Sequence, residues 1–247
     1  MVLAALASGC VSTGIKTQAT RPDGRFVSMA EIDSTVILDM RYYGNHNFLG
    51  RRVKGYGAPK CLLTREAAKA LAAVQAELLQ YDLGLKIYDC YRPQRAVDDF
   101  VEWAKDISDT KMKAEFYPRV DKTNLFKDGY IAARSGHSRG STMDLTIVPL
   151  PVPKQPLYQE GQPLEACYLP YEKRFQDNSL DMGTGFDCFD PLAHTANFET
   201  GPVQERNRLL LKSMMEKNGF KNLPEEWWHF TLVNEPFPGT YFDFDIE

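Results

Sequence analysis

Ser135-Gly136-His137-Ser138-Arg139-Gly140-Ser141-Thr142-Met143-Asp144-Leu145-Thr146 is the stretch on which the chain is organised, and it is read together with Glu226-Trp227-Trp228-His229 near the C-terminus. Asp144 opens Asp144-Leu145-Thr146-Ile147-Val148, and His229 opens His229-Phe230-Thr231-Leu232-Val233. Both runs alternate and carry β-branched residues, so each reads as a strand. Alternate side chains share a face, which puts Asp144 with Thr146 and His229 with Thr231. If the strands are neighbours, Asp144 and His229 project from one sheet face, and His137 swings in from the glycine-framed loop between Gly136 and Gly140. Two imidazoles and a carboxylate then fill three places of a catalytic zinc site, whose fourth position stays open to water. Glu226, three residues before His229, is left over as a base.

Outward from that stretch, local signals predict regular elements. Thr35 to Tyr43 starts as a strand. Thr64 can cap a helix running to about Gln80, with Glu66 in its first turn and Leu71, Val74 and Leu78 on its core stripe. Leu85 to Cys90 alternates as a strand, Pro93 stops it, and a helix runs from Gln94 to about Ile107. Arg92, at that strand end, is a candidate catalytic group. Gln204 to Asn218 reads as a helix burying Leu209, Leu210 and Met214, with Gly219 as its C-terminal stop. His46 reads as a loop histidine and His194 as a hydrogen-bonded structural one, neither a ligand. The order of elements predicts one α+β domain, helices packed on a central, mostly antiparallel sheet.

With 247 residues the chain can bury a sizeable core. A net charge of -4 and no basic cluster argue against a nucleic-acid partner. Met1-Val2-Leu3-Ala4-Ala5-Leu6-Ala7-Ser8-Gly9-Cys10 is apolar, then small, then cysteine, similar to the end of a bacterial lipoprotein leader in which Cys10 would be lipidated. It has no Lys or Arg before the apolar run and the run is short, as expected if the true start lies upstream. Residues 1–30 are therefore expected to be leader remnant and tether, and residues 31–247 the domain. The expected location is the cell envelope. The other cysteines, Cys61, Cys90, Cys167 and Cys188, suit two disulfides in an oxidising compartment. Three connectivities are open, and the local one, Cys61 with Cys90 and Cys167 with Cys188, ranks first. Residues 149–181 form a proline-rich insert, too long for a simple connection and expected to be a flap or disordered.

The signal is the combination of motifs. Ser135, His137, Gly140 and Asp144 together with Glu226, Trp228 and His229 resemble the SxHxxGxxxD and ExWH signatures of the VanX-type D-alanyl-D-alanine dipeptidases. Their wider fold group includes D,D-carboxypeptidases and the Hedgehog domain. Asp89-Cys90-Tyr91-Arg92-Pro93, Gly183 to Asp187 and Tyr241-Phe242-Asp243-Phe244 match further family motifs. The resemblance implies a zinc ion on His137, Asp144 and His229, Glu226 as proton carrier, and Arg92 over the developing oxyanion. It also implies that Asp187, Ser135 and Tyr42 receive the ammonium end of a free dipeptide. A carboxypeptidase acting on peptidoglycan stem peptides is the alternative. A zinc-bound module without chemistry is disfavoured because Glu226 and Arg92 are both present.

Overall fold

A computed structural model describes residues 15–247. Cys10 lies outside the described residues. The strands are β1 (Lys16–Gln18), β2 (Phe26–Ser28), β3 (Ile37–Leu38), β4 (Leu62–Thr64), β5 (Leu83–Asp89), β6 (Thr142–Pro149), β7 (Phe220–Asn222), β8 (His229–Leu232) and β9 (Thr240–Phe242). The helices are α1 (Met29–Ile32), α2 (Arg65–Leu78), α3 (Gln94–Lys105), α4 (Lys113–Phe116) and α5 (Pro202–Lys217).

A five-stranded sheet of order β3-β5-β6-β8-β7 carries the architecture. Only β3 runs parallel to its neighbour; the other three pairings are antiparallel. The expected α+β class with a mostly antiparallel sheet is what forms. Leu85 and Ile87 of β5 and Leu145 and Ile147 of β6 pack on Leu71, Val74 and Leu78 of α2. Thr64 caps that helix through the Ala67 amide, at 3.4 Å. Asp144 and Thr146 point from β6 to the opposite face. There a second, aromatic cluster gathers Tyr42, Phe48, Phe100, Trp103 and Phe189 around α3. The cleft opens where the sheet meets this cluster.

Several expectations are corrected. Residues 16–28 are not a tether: β1 pairs with β9, β2 pairs with β4, and Phe26, Val27 and Met29 are buried. The folded unit therefore begins well before residue 31. Three-residue strands carry no periodic signal, and their partners lie far away in sequence. The strand expected over 35–43 shrinks to Ile37–Leu38, because the chain then turns to bring Arg41 and Tyr42 inward. In α5 the fully buried residues are Arg208, Leu211 and Met215; Leu210 and Met214 pack partly buried on the same core, while Leu209 is exposed. The Arg208 guanidinium reaches inward and donates to the carbonyls of Met182, Leu192 and His194, at 2.6–2.7 Å.

Both local disulfides form, Cys61–Cys90 and Cys167–Cys188. The proline-rich insert is ordered and docked instead of forming a loose flap. Asp177, buried within it, meets Lys86 and Tyr88 of β5 and lies 3.7 Å from Arg41. Lys86 is itself fully buried and 3.6 Å from Asp39. Two acids and two bases thus neutralise one another under the insert, as buried charges must.

Candidate active site

The two motifs that are 92 residues apart converge through the pairing of β6 with β8, in which Asp144 stands directly opposite His229. His137 arrives from the 3₁₀ turn Gly136–Arg139 that precedes β6. Ser135 starts that turn, its hydroxyl accepting from the His137 amide at 3.3 Å. Asp144 Oδ1 lies 3.2 Å from His137 Nε2 and 3.1 Å from His229 Nδ1, and the two ring nitrogens are 3.3 Å apart. His137 Nδ1 is 2.7 Å from the Cys90 carbonyl, which can only accept, so that nitrogen carries the proton and Nε2 presents a lone pair. The Cys61–Cys90 disulfide anchors the same carbonyl.

Three electron-pair donors therefore meet at one point, a mutually repulsive arrangement unless a cation sits among them. Without a metal a proton takes that place. Burial opposes the His229 cation, but the Asp144 and Glu226 carboxylates beside it outweigh that cost and push the imidazole up to about 10. Burial likewise works against ionised Asp144, yet the neighbouring imidazoles hold its carboxyl far below the usual carboxylate range. Asp144 Oδ1 makes no conventional hydrogen bond, although both imidazoles lie in ion-pair range. Both descriptions fit an oxygen aimed at a shared cation, and the donor set of two imidazoles and a carboxylate suits a transition metal.

Glu226 Oε2 is 3.3 Å from His229 Nδ1 and retains partial exposure. The two tryptophans between Glu226 and His229 are buried and explain the spacing. Trp227 donates to Thr184 Oγ1 at 2.9 Å, and Trp228 packs edge-on against Phe186. The turn is pinned from below while the acid and the imidazole face the cleft.

Arg92 is almost wholly buried. Nε and Nη2 each lie 2.9 Å from Asp89 Oδ2, and Nη2 is 3.6 Å from Asp144 Oδ2. Its guanidinium carbon is 4.9 Å from the ring centres of both Tyr42 and Phe100. Asp89 was not singled out from the sequence as a site residue. A bulge in β5 between Ile87 and Asp89 brings it opposite Asp144, and it also accepts from Tyr56 at 2.7 Å. Burial pushes the Asp89 carboxyl up, against Arg92 and His137. Its DxYRP context could have flagged it, whereas nothing local marked Tyr56.

Asp187 accepts from the Tyr42 hydroxyl at 2.7 Å, so these two of the residues expected at the ammonium end meet. Ser135 caps the His137 turn and also lines the cleft. Asp187 is buried with φ of 56°, in the left-handed region that Asp tolerates better than most residues. The Cys167–Cys188 disulfide holds the neighbouring residue. Burial, and then the nearby Asp144, push the Asp187 carboxyl well above its ordinary value, which leaves it in want of a cation. His46 and His194 are outside this group. His46 stacks on Tyr158 and bonds Glu115 at 2.8 Å. The cleft encloses about 320 Å³, and its lining includes Tyr42, Arg92, His137, Asp144, Asp187, Glu226 and His229. No residue of the proline-rich insert lines it.

The family profile described as "D-ala-D-ala dipeptidase" matches residues 23–150 and 171–247, which include every one of these groups. The chain belongs to that family. It is thereby a member of a metallopeptidase family, and the D-ala-D-ala dipeptidase profile leaves unmatched only the N-terminus and residues 151–170, within the insert. A D-alanyl-D-alanine dipeptidase of Streptomyces coelicolor is 37% identical over 223 residues, covering 90% of this chain and 98% of that protein. One of Enterococcus faecalis is 34% identical over 221 residues, with 90% and 98% covered. Among solved structures, the vancomycin-resistance D,D-dipeptidase VanXYg in complex with a D-Ala-D-Ala phosphinate analog aligns at 14% identity and a TM-score of 0.33. That alignment covers 85% of this chain and 67% of VanXYg.

Proposed function

We propose that this chain hydrolyses the free D-alanyl-D-alanine dipeptide with a zinc ion held by His137, Asp144 and His229. The observation that carries the reading is the convergence of those three donors, within 4.8 Å of one another, beside a free carboxylate, a buried guanidinium and an anionic pocket. Zinc bound there would polarise the peptide carbonyl and make an attacking water acidic near neutrality. Glu226 takes the proton of that water and returns it to the leaving amine, its partial exposure leaving it free to do both. Arg92, locked by Asp89 and two aromatic rings, faces the oxygen on which charge develops, and a fixed donor costs no reorganisation at that moment. Asp187, with Tyr42, receives the substrate ammonium. An acylated amine would bring no charge there and would bury the carboxyl without a partner, so the free dipeptide is favoured over a longer chain.

We further propose that the enzyme works in the bacterial envelope, tethered through Cys10, in cell-wall turnover. The two disulfides support that reading, since such bonds persist in oxidising compartments. Fractionation of cells carrying the tagged chain tests it, and recovery in the cytosol with free thiols would remove it. The activity is tested with zinc-loaded protein on free D-alanyl-D-alanine, its N-acetyl form and a muropeptide. Cleavage of the free dipeptide alone is expected. Release of D-alanine only from the acylated substrates would make the chain a carboxypeptidase.

A further inference from the structure

Three guanidiniums line the cleft: Arg92, Arg134 and Arg139. Two are already neutralised. Arg92 is committed to Asp89, and Arg139 Nε lies 2.9 Å from both carboxylate oxygens of Glu235. Arg134 has no carboxylate partner among the described residues. It is exposed, and its guanidinium carbon lies 4.7 Å from the ring centre of Tyr241.

Strand register locates it relative to the reacting groups. Asp144 is opposite His229, and one step further Thr142 is opposite Thr231, their hydroxyls 2.9 Å apart. Two residues along β8 is about 7 Å. A Cβ on Gly136 would stand 2.8 Å from Thr142 Oγ1 and 3.4 Å from Arg139 Nη2, so the Arg139 side chain lies over the threonine pair. Arg139 shares the Tyr241 ring with Arg134, its guanidinium carbon 5.8 Å from the ring centre. Asp187 lies on the other side. It bonds Tyr42, and its neighbour Phe186 packs on Trp228, before His229 in the strand direction. An anionic pocket and an unpaired cation thus flank the donor trio at opposite ends of one cleft.

A free dipeptide is a zwitterion whose two charges are separated by roughly two residue lengths, about 7 Å. With its ammonium at Asp187 and its peptide carbonyl at the trio, its carboxylate extends toward the Thr231 end. The geometry points to Arg134, seated on Tyr241, as the residue that binds the C-terminal carboxylate of the substrate and makes the cleft selective for a free acid. The inference rests on the dipeptidase reading above. Tyr241 presents a flat face on which the guanidinium can rest while its N–H edge stays free for a carboxylate.

The test compares wild type, Arg134→Ala and Arg134→Lys on D-alanyl-D-alanine and on its C-terminal amide. Arg134→Ala is expected to lose about tenfold or more in kcat/KM on the acid and under about twofold on the amide, with partial recovery in Arg134→Lys. Equal losses on both substrates, or no loss on either, overturn the inference. A binding arm keeps it separable from the hydrolysis itself. In a Glu226→Gln background, calorimetric titration with the dipeptide should weaken on adding Arg134→Ala while titration with the amide does not. If wild type cleaves neither compound, the dipeptidase reading fails. The Arg134 assignment is then upheld by selective weakening of dipeptide binding and overturned by unchanged binding.

Discussion

Replacing Arg92 separates two tasks carried by one side chain. Its guanidinium is the main counter-charge of Asp89, which is fully buried and has besides only the Tyr56 hydroxyl and His137 Nδ1, at 3.4 Å. Arg92→Ala leaves an uncompensated buried carboxylate, a loss of about 3–5 kcal/mol. In a chain of this size each kcal/mol moves the melting temperature by about 2–4 °C, so a fall of roughly 6–20 °C is expected. The double variant Asp89→Asn with Arg92→Ala buries neither charge, and the pair should recover about 2–3 kcal/mol relative to the sum of the single changes. Turnover should not follow stability. If the guanidinium faces the developing oxyanion, kcat falls by about 10²–10³ in both Arg92 variants whether or not the fold is repaired. Calorimetric melting and turnover of D-alanyl-D-alanine on all four proteins close the cycle. Joint recovery of stability and activity in the double variant would leave Arg92 only a structural task and sink its catalytic assignment. An unchanged melting temperature in Arg92→Ala would refute the buried-pair reasoning instead.

Glu226→Gln should lower kcat by at least about 10² while metal content stays at one per chain, and His229→Ala should lose the metal as well; metal analysis alongside turnover checks both. Burial opposes ionised Asp177, but Lys86 and Arg41 hold it at about 2 against an ordinary 3.8. A depressed carboxyl contributes stability that is complete above the unfolded value and lost as pH falls through 3.8 toward 2, here on the order of 2 kcal/mol. Denaturant melts from pH 5 to 2.5 should therefore decline less steeply in Asp177→Asn than in wild type. Thiol titration of the oxidised protein in denaturant should find Cys61, Cys90, Cys167 and Cys188 unreactive until reduced. Cys167→Ala with Cys188→Ala should cost about 3 kcal/mol and raise KM more than it lowers kcat, because Cys188 adjoins Asp187.

What the sequence by itself determined was whatever depends on near neighbours. Thr64 capping α2, Pro93 ending one element and opening α3, the alternation of β6 and β8, and the donor spacings around Asp144 and His229 are local patterns, and each forms where its residues predict. The trio was legible for the same reason: two strands and a glycine-framed turn leave few ways to orient three short side chains. The matched motifs also carried Tyr42 and Asp187, though not the φ of 56° that seats the carboxylate. Tertiary structure alone decided the rest. Only distant partners turn Lys16–Gln18 and Phe26–Ser28 into strands, and only carbonyls at 182, 192 and 194 make Arg208 an interior residue of α5. Nothing beside Lys86 or Asp177 in the sequence marks either as buried; the docked insert pairs them. A buried charge is tolerated only when its counter-charge is delivered, and that delivery is a property of the assembled chain, with no trace in the residues beside it.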